Sequence, residues 1–162
     1  MSDIEIAEQK IAEAIISLRN DYIMKGEAPD VMTINHGLCA CFADDIADHL
    51  PEIEGLQAVD IAGFIEVDPE TGCSYDSGGP FDLELIGANW PNITPPEGLT
   101  WEDMNQLSED AGFSCGTHVF LTFNGKFYDA EAEQGVDTPF ELPFFQRVIA
   151  SWLEERPQPP SL

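Results

Sequence analysis

Three side chains of the kinds used in nucleophilic catalysis occur in this chain of 162 residues, at Cys39, His118 and Asp129. A cysteine attacks as its thiolate, and the positive end of a helix lowers the pKa of a thiol placed there. A neighbouring imidazole can take the thiol proton and later return it to the leaving group. A carboxylate that accepts the imidazole Nδ1–H would hold the ring in place. These residue types predict a Cys-His-Asp triad.

The segment around Cys39 has the pattern of a helix start. Apolar residues recur at helical steps from Cys39 to Leu50, and Pro51 closes the segment. The helix is therefore expected to begin near Leu38, with Cys39 in its first turn. Asn35 lies in the flexible entry to this helix. Its amide and the Cys39 backbone N–H are the candidates for stabilising an oxyanion.

The segment around Asn124-Gly125 predicts a tight β-hairpin, because this dipeptide between apolar strands favours a two-residue turn. The two strands are expected over 117–123 and 126–129. In this register Asp129 faces the residue two positions after His118, on the same side of the sheet. Diagonal neighbours on one face lie about 7–8 Å apart, so a His118–Asp129 hydrogen bond is within reach.

Periodicity elsewhere predicts an α+β fold. The spacing of Ile4, Ile11, Ile15, Leu18 and Tyr22 indicates an amphipathic helix over 3–24. Further helices are expected over about 100–110 and 143–155, strands over 59–67 and 81–86, and turns between these two strands. We expect one domain over 1–156 and a tail over 157–162.

Three short blocks resemble the Cys, His and Asp motifs of papain-like and transglutaminase-like cysteine hydrolases. They are Gly37-Leu38-Cys39-Ala40-Cys41-Phe42-Ala43, His118-Val119-Phe120 and Asn124-Gly125-Lys126-Phe127-Tyr128-Asp129-Ala130-Glu131, and they occur in the family's chain order. Small proteins of this type occur in bacteria and their phages. No Gln stands at the family's usual oxyanion position ahead of Cys39, and the resemblance does not extend to 52–116.

The resemblance implies a papain-like or transglutaminase-like fold, in which N-terminal helices carry the Cys at a helix start, pack on a small antiparallel sheet and are followed by a C-terminal helix. It implies a peptidase, amidase or isopeptidase type of hydrolase, or an acyltransferase, that acts on a peptide or protein through an acyl-enzyme and needs no cofactor. Cys39 would be the nucleophile, His118 the general base and then acid, and Asp129 the orienting group.

The charge balance limits the partners. The chain has 6 Lys and Arg against 31 Asp and Glu, a net charge of −25. Nucleic acids and anionic membranes are bound through Lys and Arg, so direct contact with either is not expected. A basic substrate fits this charge. So does an alternative function, an acidic phage-encoded protein that mimics DNA or inhibits a host protein on a catalytically inactive fold.

The four cysteines are expected to be thiols in a cytoplasmic protein, of a bacterium or of a phage-infected cell, because no signal peptide precedes them. No apolar run approaches the roughly 20 residues of a membrane helix. Thiols can also bind metal, and Cys39, Cys41, Cys115 and His118 supply the ligand types of a tetrahedral zinc site. Zinc binding is therefore the alternative to catalysis for these residues.

Overall fold

The computed structural model describes residues 1–60, 65–67, 70, 74–76, 90–110 and 118–155. The helices of this part are α1 (Asp3–Met24), α2 (Val31–Asn35), α3 (Cys39–His49), α4 (Trp101–Asp110) and α5 (Pro143–Glu155), with a 3-10 turn at Pro139–Glu141. The strands are β1 (Gln57–Asp60), β2 (Ile65–Val67), β3 (Ser74–Asp76), β4 (Val119–Phe123) and β5 (Lys126–Tyr128). The expected α+β class is confirmed. The expected strand over 81–86, Cys115 and the tail over 157–162 lie outside the described residues.

The central sheet is antiparallel, with β4 between β1 and β5. The β4–β5 register pairs Phe123 with Lys126, as the two-residue turn predicts. Asn124 and Gly125 both have positive φ, at 50° and 77°, which is the backbone of the mirror-image turn that suits a hairpin. The pairing of β1 with β4, in which Asp60 lies opposite Val119, was not foreseen. The strand expected over 59–67 overlaps β1 and β2, and β2 pairs with β3 in a separate hairpin, while 61–64 lie outside the described residues.

The two faces of the central sheet pack against different helices. Because side chains alternate along a strand, Val119 and Leu121 point to one face and Phe120 to the other. The first face, with Tyr128, packs on the buried residues of α1 and α3: Ile11, Ile15, Leu18, Tyr22, Phe42, Ala43 and Ile46. The second face, with Phe127, packs on α4 and α5 through Met104, Leu107, Phe144, Phe145, Val148, Ile149 and Trp152. The beginning of β4 therefore lies between the helix that starts at Cys39 and the C-terminal helix.

Local signals account for the helix ends. The bounds of α1 agree with the prediction, and Ser2 accepts the Glu5 N–H as its N-cap. Ile4 was expected in the buried stripe of α1 but is 45% exposed, because the first turn of the helix extends past the core. At α4, Thr100 and Asp103 form the reciprocal hydrogen bonds of a capping box. No described helix is both long and apolar enough to cross a membrane.

Candidate active site

Cys39 is the first residue of α3, as expected. The first N–H groups of a helix have no intrahelical acceptor, and they carry the positive end of the helix dipole. The half-buried thiol is free, and the backbone N–H groups of Ala40 and Val119 interact with its sulfur. The sequence thus places a thiol where backbone donors favour its ionised form.

His118 immediately precedes β4 and is 1% exposed. Its Nε2 lies 3.0 Å from Oδ2 of Asp129. An ionised carboxylate can only accept a hydrogen bond, so Nε2 carries the proton and Nδ1 of the neutral ring is a lone-pair acceptor. The expectation that Asp129 accepts Nδ1–H is therefore wrong in its choice of nitrogen. The ring meets the carboxylate through Nε2, which leaves Nδ1 for the thiol.

Asp129 follows β5 directly and is 3% exposed. Both of its carboxylate oxygens have donors. Oδ2 accepts from His118, and Oδ1 accepts the backbone N–H of Glu131 at 2.9 Å. Because a buried carboxylate is costly without such donors, these bonds also fix its orientation. The hairpin register places Asp129 and His118 on one side of the sheet, as predicted.

Cys39 and His118 shift each other's pKa values in the directions that favour an ion pair. Burial raises the pKa of the Cys39 thiol, but the contact with the His118 side chain and the imidazolium charge outweigh burial, so the pKa lies below its ordinary value. Burial lowers the pKa of His118, but the hydrogen bond with Asp129 and the contact with Cys39 outweigh it and raise the pKa overall. His118 Nδ1 is buried and makes no hydrogen bond of standard geometry with the described residues. Such loose contacts are common in unliganded catalytic sites.

Phe144, on α5, covers the His118 ring. The two ring centroids are 4.2 Å apart and the planes are inclined by only 20°. Phe120 and Phe145 lie near the ring as well, with centroids 5.9 Å and 5.7 Å away. These rings exclude water from the His118–Asp129 hydrogen bond, and an aromatic face also stabilises an imidazolium. The sequence predicted a helix at Phe144, but not the stacking of its ring on His118.

Asn35, the oxyanion candidate, ends α2 and is 2% exposed. Its Nδ2 donates to Oε1 of Glu131 at 2.8 Å. Arg147 donates to both oxygens of the same carboxylate, and also to Nε2 of His36 at 3.2 Å and 3.0 Å. Burial and the Arg147 charge hold the pKa of His36 below its ordinary value, so the ring is a neutral acceptor. The sequence gave no role to Arg147. Basic residues are rare in this acidic chain, and that rarity was the one signal that could have drawn attention to Arg147.

The zinc alternative rests partly on Cys115, which lies outside the described residues. Cys41 follows Cys39 by two positions on α3, where side chains diverge by roughly 200°. Among the described residues, no group of three or more His, Cys, Asp or Glu side chains is arranged to hold a metal ion.

Comparisons of the chain with models of protein families, with curated proteins and with solved structures found no match. A function can therefore be inferred only from the geometry around Cys39, His118 and Asp129.

Proposed function

We propose that this protein is a cysteine-dependent hydrolase or acyltransferase with a papain-like or transglutaminase-like fold. The observation that supports the proposal best is the meeting of three groups. A thiol at the start of α3 lies against a buried imidazole, whose Nε2 is hydrogen-bonded to Asp129. These groups come from three separate parts of the chain, and the pKa shifts of Cys39 and His118 favour the ion pair that the proposed reaction requires.

The proposed reaction begins with transfer of the Cys39 proton to His118 Nδ1. The thiolate attacks the carbonyl carbon of an amide, isopeptide or thioester, and a tetrahedral oxyanion forms. Its collapse breaks the bond to the leaving group, and the departing amine or thiolate takes the proton from His118 Nδ1. Water, or another acceptor, then gives a proton to His118 Nδ1 as it attacks the acyl-enzyme, and the second tetrahedral oxyanion collapses by breaking the bond to sulfur. The departing Cys39 sulfur takes that proton back and becomes the thiol again. Asp129 stabilises the imidazolium throughout.

The Cys39 backbone N–H is the stronger candidate for the oxyanion donor. It belongs to the first turn of α3, where N–H groups lack intrahelical acceptors. The amide of Asn35 already donates one N–H to Glu131. A side chain committed in this way offers less to a substrate than the backbone group beside the nucleophile.

Basic peptides or proteins are the proposed substrates. At a net charge of −25 the field of the molecule attracts cations over a range set by the ionic strength. Glu131 and Glu133 do not supply this preference individually, since each is paired with an arginine. We place the reaction in the cytoplasm, where thiols stay reduced.

Thiol reactivity tests the proposal. At neutral pH, iodoacetamide should alkylate Cys39 at least about tenfold faster than Cys41, Cys73 and Cys115, because the neighbouring imidazole lowers the pKa of Cys39. Rates at each site are read by peptide mass spectrometry. His118→Ala should slow the alkylation of Cys39. His49→Ala, which removes an exposed imidazole at the other end of α3, should leave it unchanged.

A second measurement tests covalent catalysis. An activated acyl ester should leave its acyl group on Cys39 and not on the Cys39→Ala variant. Slow and equal alkylation of all four thiols, with no acyl-enzyme, would contradict the catalytic proposal. That result would leave the acidic binding protein as the better account of the net charge.

A further inference from the structure

The turn that follows β5 holds the triad carboxylate. Ala132 N–H donates to the Asp129 carbonyl at 3.1 Å, and Glu131 N–H donates to Asp129 Oδ1 at 2.9 Å. The orientation of the Asp129 carboxylate therefore depends on where the backbone of Glu131 lies. Any group that fixes Glu131 also fixes the acceptor of His118.

The side chain of Glu131 is fixed from two helices. Arg147 of α5 donates from Nη2 to Oε1 at 2.6 Å and from Nη1 to Oε2 at 2.9 Å. Asn35 of α2 donates to Oε1 at 2.8 Å. The two-pronged arginine contact defines both the position and the plane of the carboxylate.

Burial distinguishes this arrangement from a surface ion pair. The side chains of Glu131 and Arg147 are 17% and 33% exposed, against 53% and 49% for the pair of Glu52 with Lys10. Arg147 is moreover one of only 6 basic residues in a chain with 31 acidic ones. Exposed ion pairs contribute little to stability. The Glu131–Arg147 pair differs from them because it is partly buried, bidentate and beside the triad, and these properties suit a role in positioning the triad.

We propose that Glu131 is a positioning residue, which Arg147 and Asn35 hold so that its backbone N–H orients the Asp129 carboxylate toward His118. The inference rests on the proposed function for its consequence in turnover. The positioning role of Glu131 is measured separately, through the ionisation of the Cys39 thiol. The influence of Glu131 reaches that thiol through Asp129 and His118.

The groups that share the electrostatic environment of His118 come from several elements. Cys39 lies on α3, Asp129 follows β5 and His36 follows α2, and each has an electrostatic effect on the His118 ring or is affected by it. Arg147 on α5 interacts electrostatically with Asp129, and with Glu131 in the same turn. A change at Glu131 that loosens the turn should alter the His118–Asp129 bond without deleting any of these groups.

The test compares pH profiles of Cys39 alkylation by iodoacetamide. In Glu131→Ala the pKa of the thiol should rise by about one unit, which lowers the alkylation rate about tenfold at pH values below that pKa. Glu131→Gln keeps an acceptor for Asn35 and Arg147, so it should recover part of the rate. Arg147→Lys, which loses the two-pronged contact, should fall between Glu131→Ala and the unmodified protein.

Glu52→Gln is the matched control, because it removes the same charge and an exposed ion pair with Lys10. Its profile should superimpose on that of the unmodified protein. If Glu131→Ala lowers the melting temperature but leaves the Cys39 profile unchanged, while His118→Ala shifts it, the role of Glu131 is only structural and the inference fails. If His118→Ala shifts nothing either, the proposed function itself fails.

Discussion

Asp129 determines which nitrogen of His118 faces the Cys39 thiol. The bond from Nε2 to Oδ2 leaves Nδ1 as the acceptor for the thiol proton. The ring is buried and stacked against Phe144, so it has little freedom to exchange its two nitrogens. In the proposed reaction, the direction of proton transfer is thus determined by one carboxylate and one aromatic ring.

Replacing Asp129 by Asn tests this arrangement. The amide oxygen can still accept Nε2–H, but the negative charge that stabilises the imidazolium and the acceptor of the Glu131 N–H are both lost. The pKa of Cys39 should therefore rise by about one unit or more, and the alkylation rate at pH values below that pKa should fall by about 10-fold or more. The measurement is the pH profile of Cys39 alkylation.

Asp48→Asn is the control for Asp129→Asn, because Asp48 is an exposed acidic residue on α3. This variant should leave the Cys39 profile unchanged. Coincident profiles for Asp129→Asn and the unmodified protein would contradict a role for the Asp129 charge in holding the thiolate–imidazolium pair.

The turn that follows β5 is packed against β5 itself. Gly135 has φ of 79°, and a Cβ at this position would lie 2.7 Å from the Tyr128 ring. Tyr128 is fully buried, so its ring has no room to move. Arg19 of α1 further donates to the Ala130 carbonyl at 3.0 Å. The turn that carries Asp129 and Glu131 is therefore held to the core by close contacts.

Gly135→Ala should destabilise the protein by about 2–4 kcal/mol, from positive-φ strain together with overpacking against Tyr128. Gly55→Ala provides the comparison, because Gly55 has φ of 89° and a Cβ there would meet none of the described residues within 4 Å. It should cost only about 1–2 kcal/mol. Urea unfolding midpoints measure both. Equal losses in the two variants would show that the Tyr128 contact relaxes at no cost.

For the molecule as a whole, like charges oppose the folded state. Four described cations, Lys10, Arg19, Lys126 and Arg147, are each paired with a glutamate. The large remainder of the 31 acidic residues contributes to a net charge of −25. Compact structures with such a charge are destabilised by self-repulsion, which salt screens.

Raising NaCl from about 10 mM to about 500 mM should therefore increase the melting temperature by several degrees at neutral pH. Differential scanning calorimetry measures the change. MgCl₂ at the same ionic strength serves as a control, since a larger effect would indicate specific binding of the divalent cation. A melting temperature that falls with salt would mean that the ion pairs outweigh the repulsion.

Local signals in the sequence were enough to predict where several parts of the candidate site lie. The apolar spacing and Pro51 located the helix that begins at Cys39, and Asn124-Gly125 set the register that brings Asp129 to His118. These features depend on neighbours within a few positions, where backbone geometry follows from residue type. The short helix α2 was missed, because its five residues lack a detectable period.

Residue types and their spacing were thus sufficient to predict the α+β class, the thiol at a helix start and the hairpin that presents His118 and Asp129. Three features could be seen only in the tertiary structure. They are the pairing of β1 with β4, the hydrogen bond of Asp129 with Nε2 rather than Nδ1 of His118, and the hydrogen bonds from Asn35 and Arg147 to Glu131. Asn35 and Glu131 are 96 positions apart in the chain. Contacts at such separation have no local signal, because they form only when the helices pack on opposite faces of one sheet.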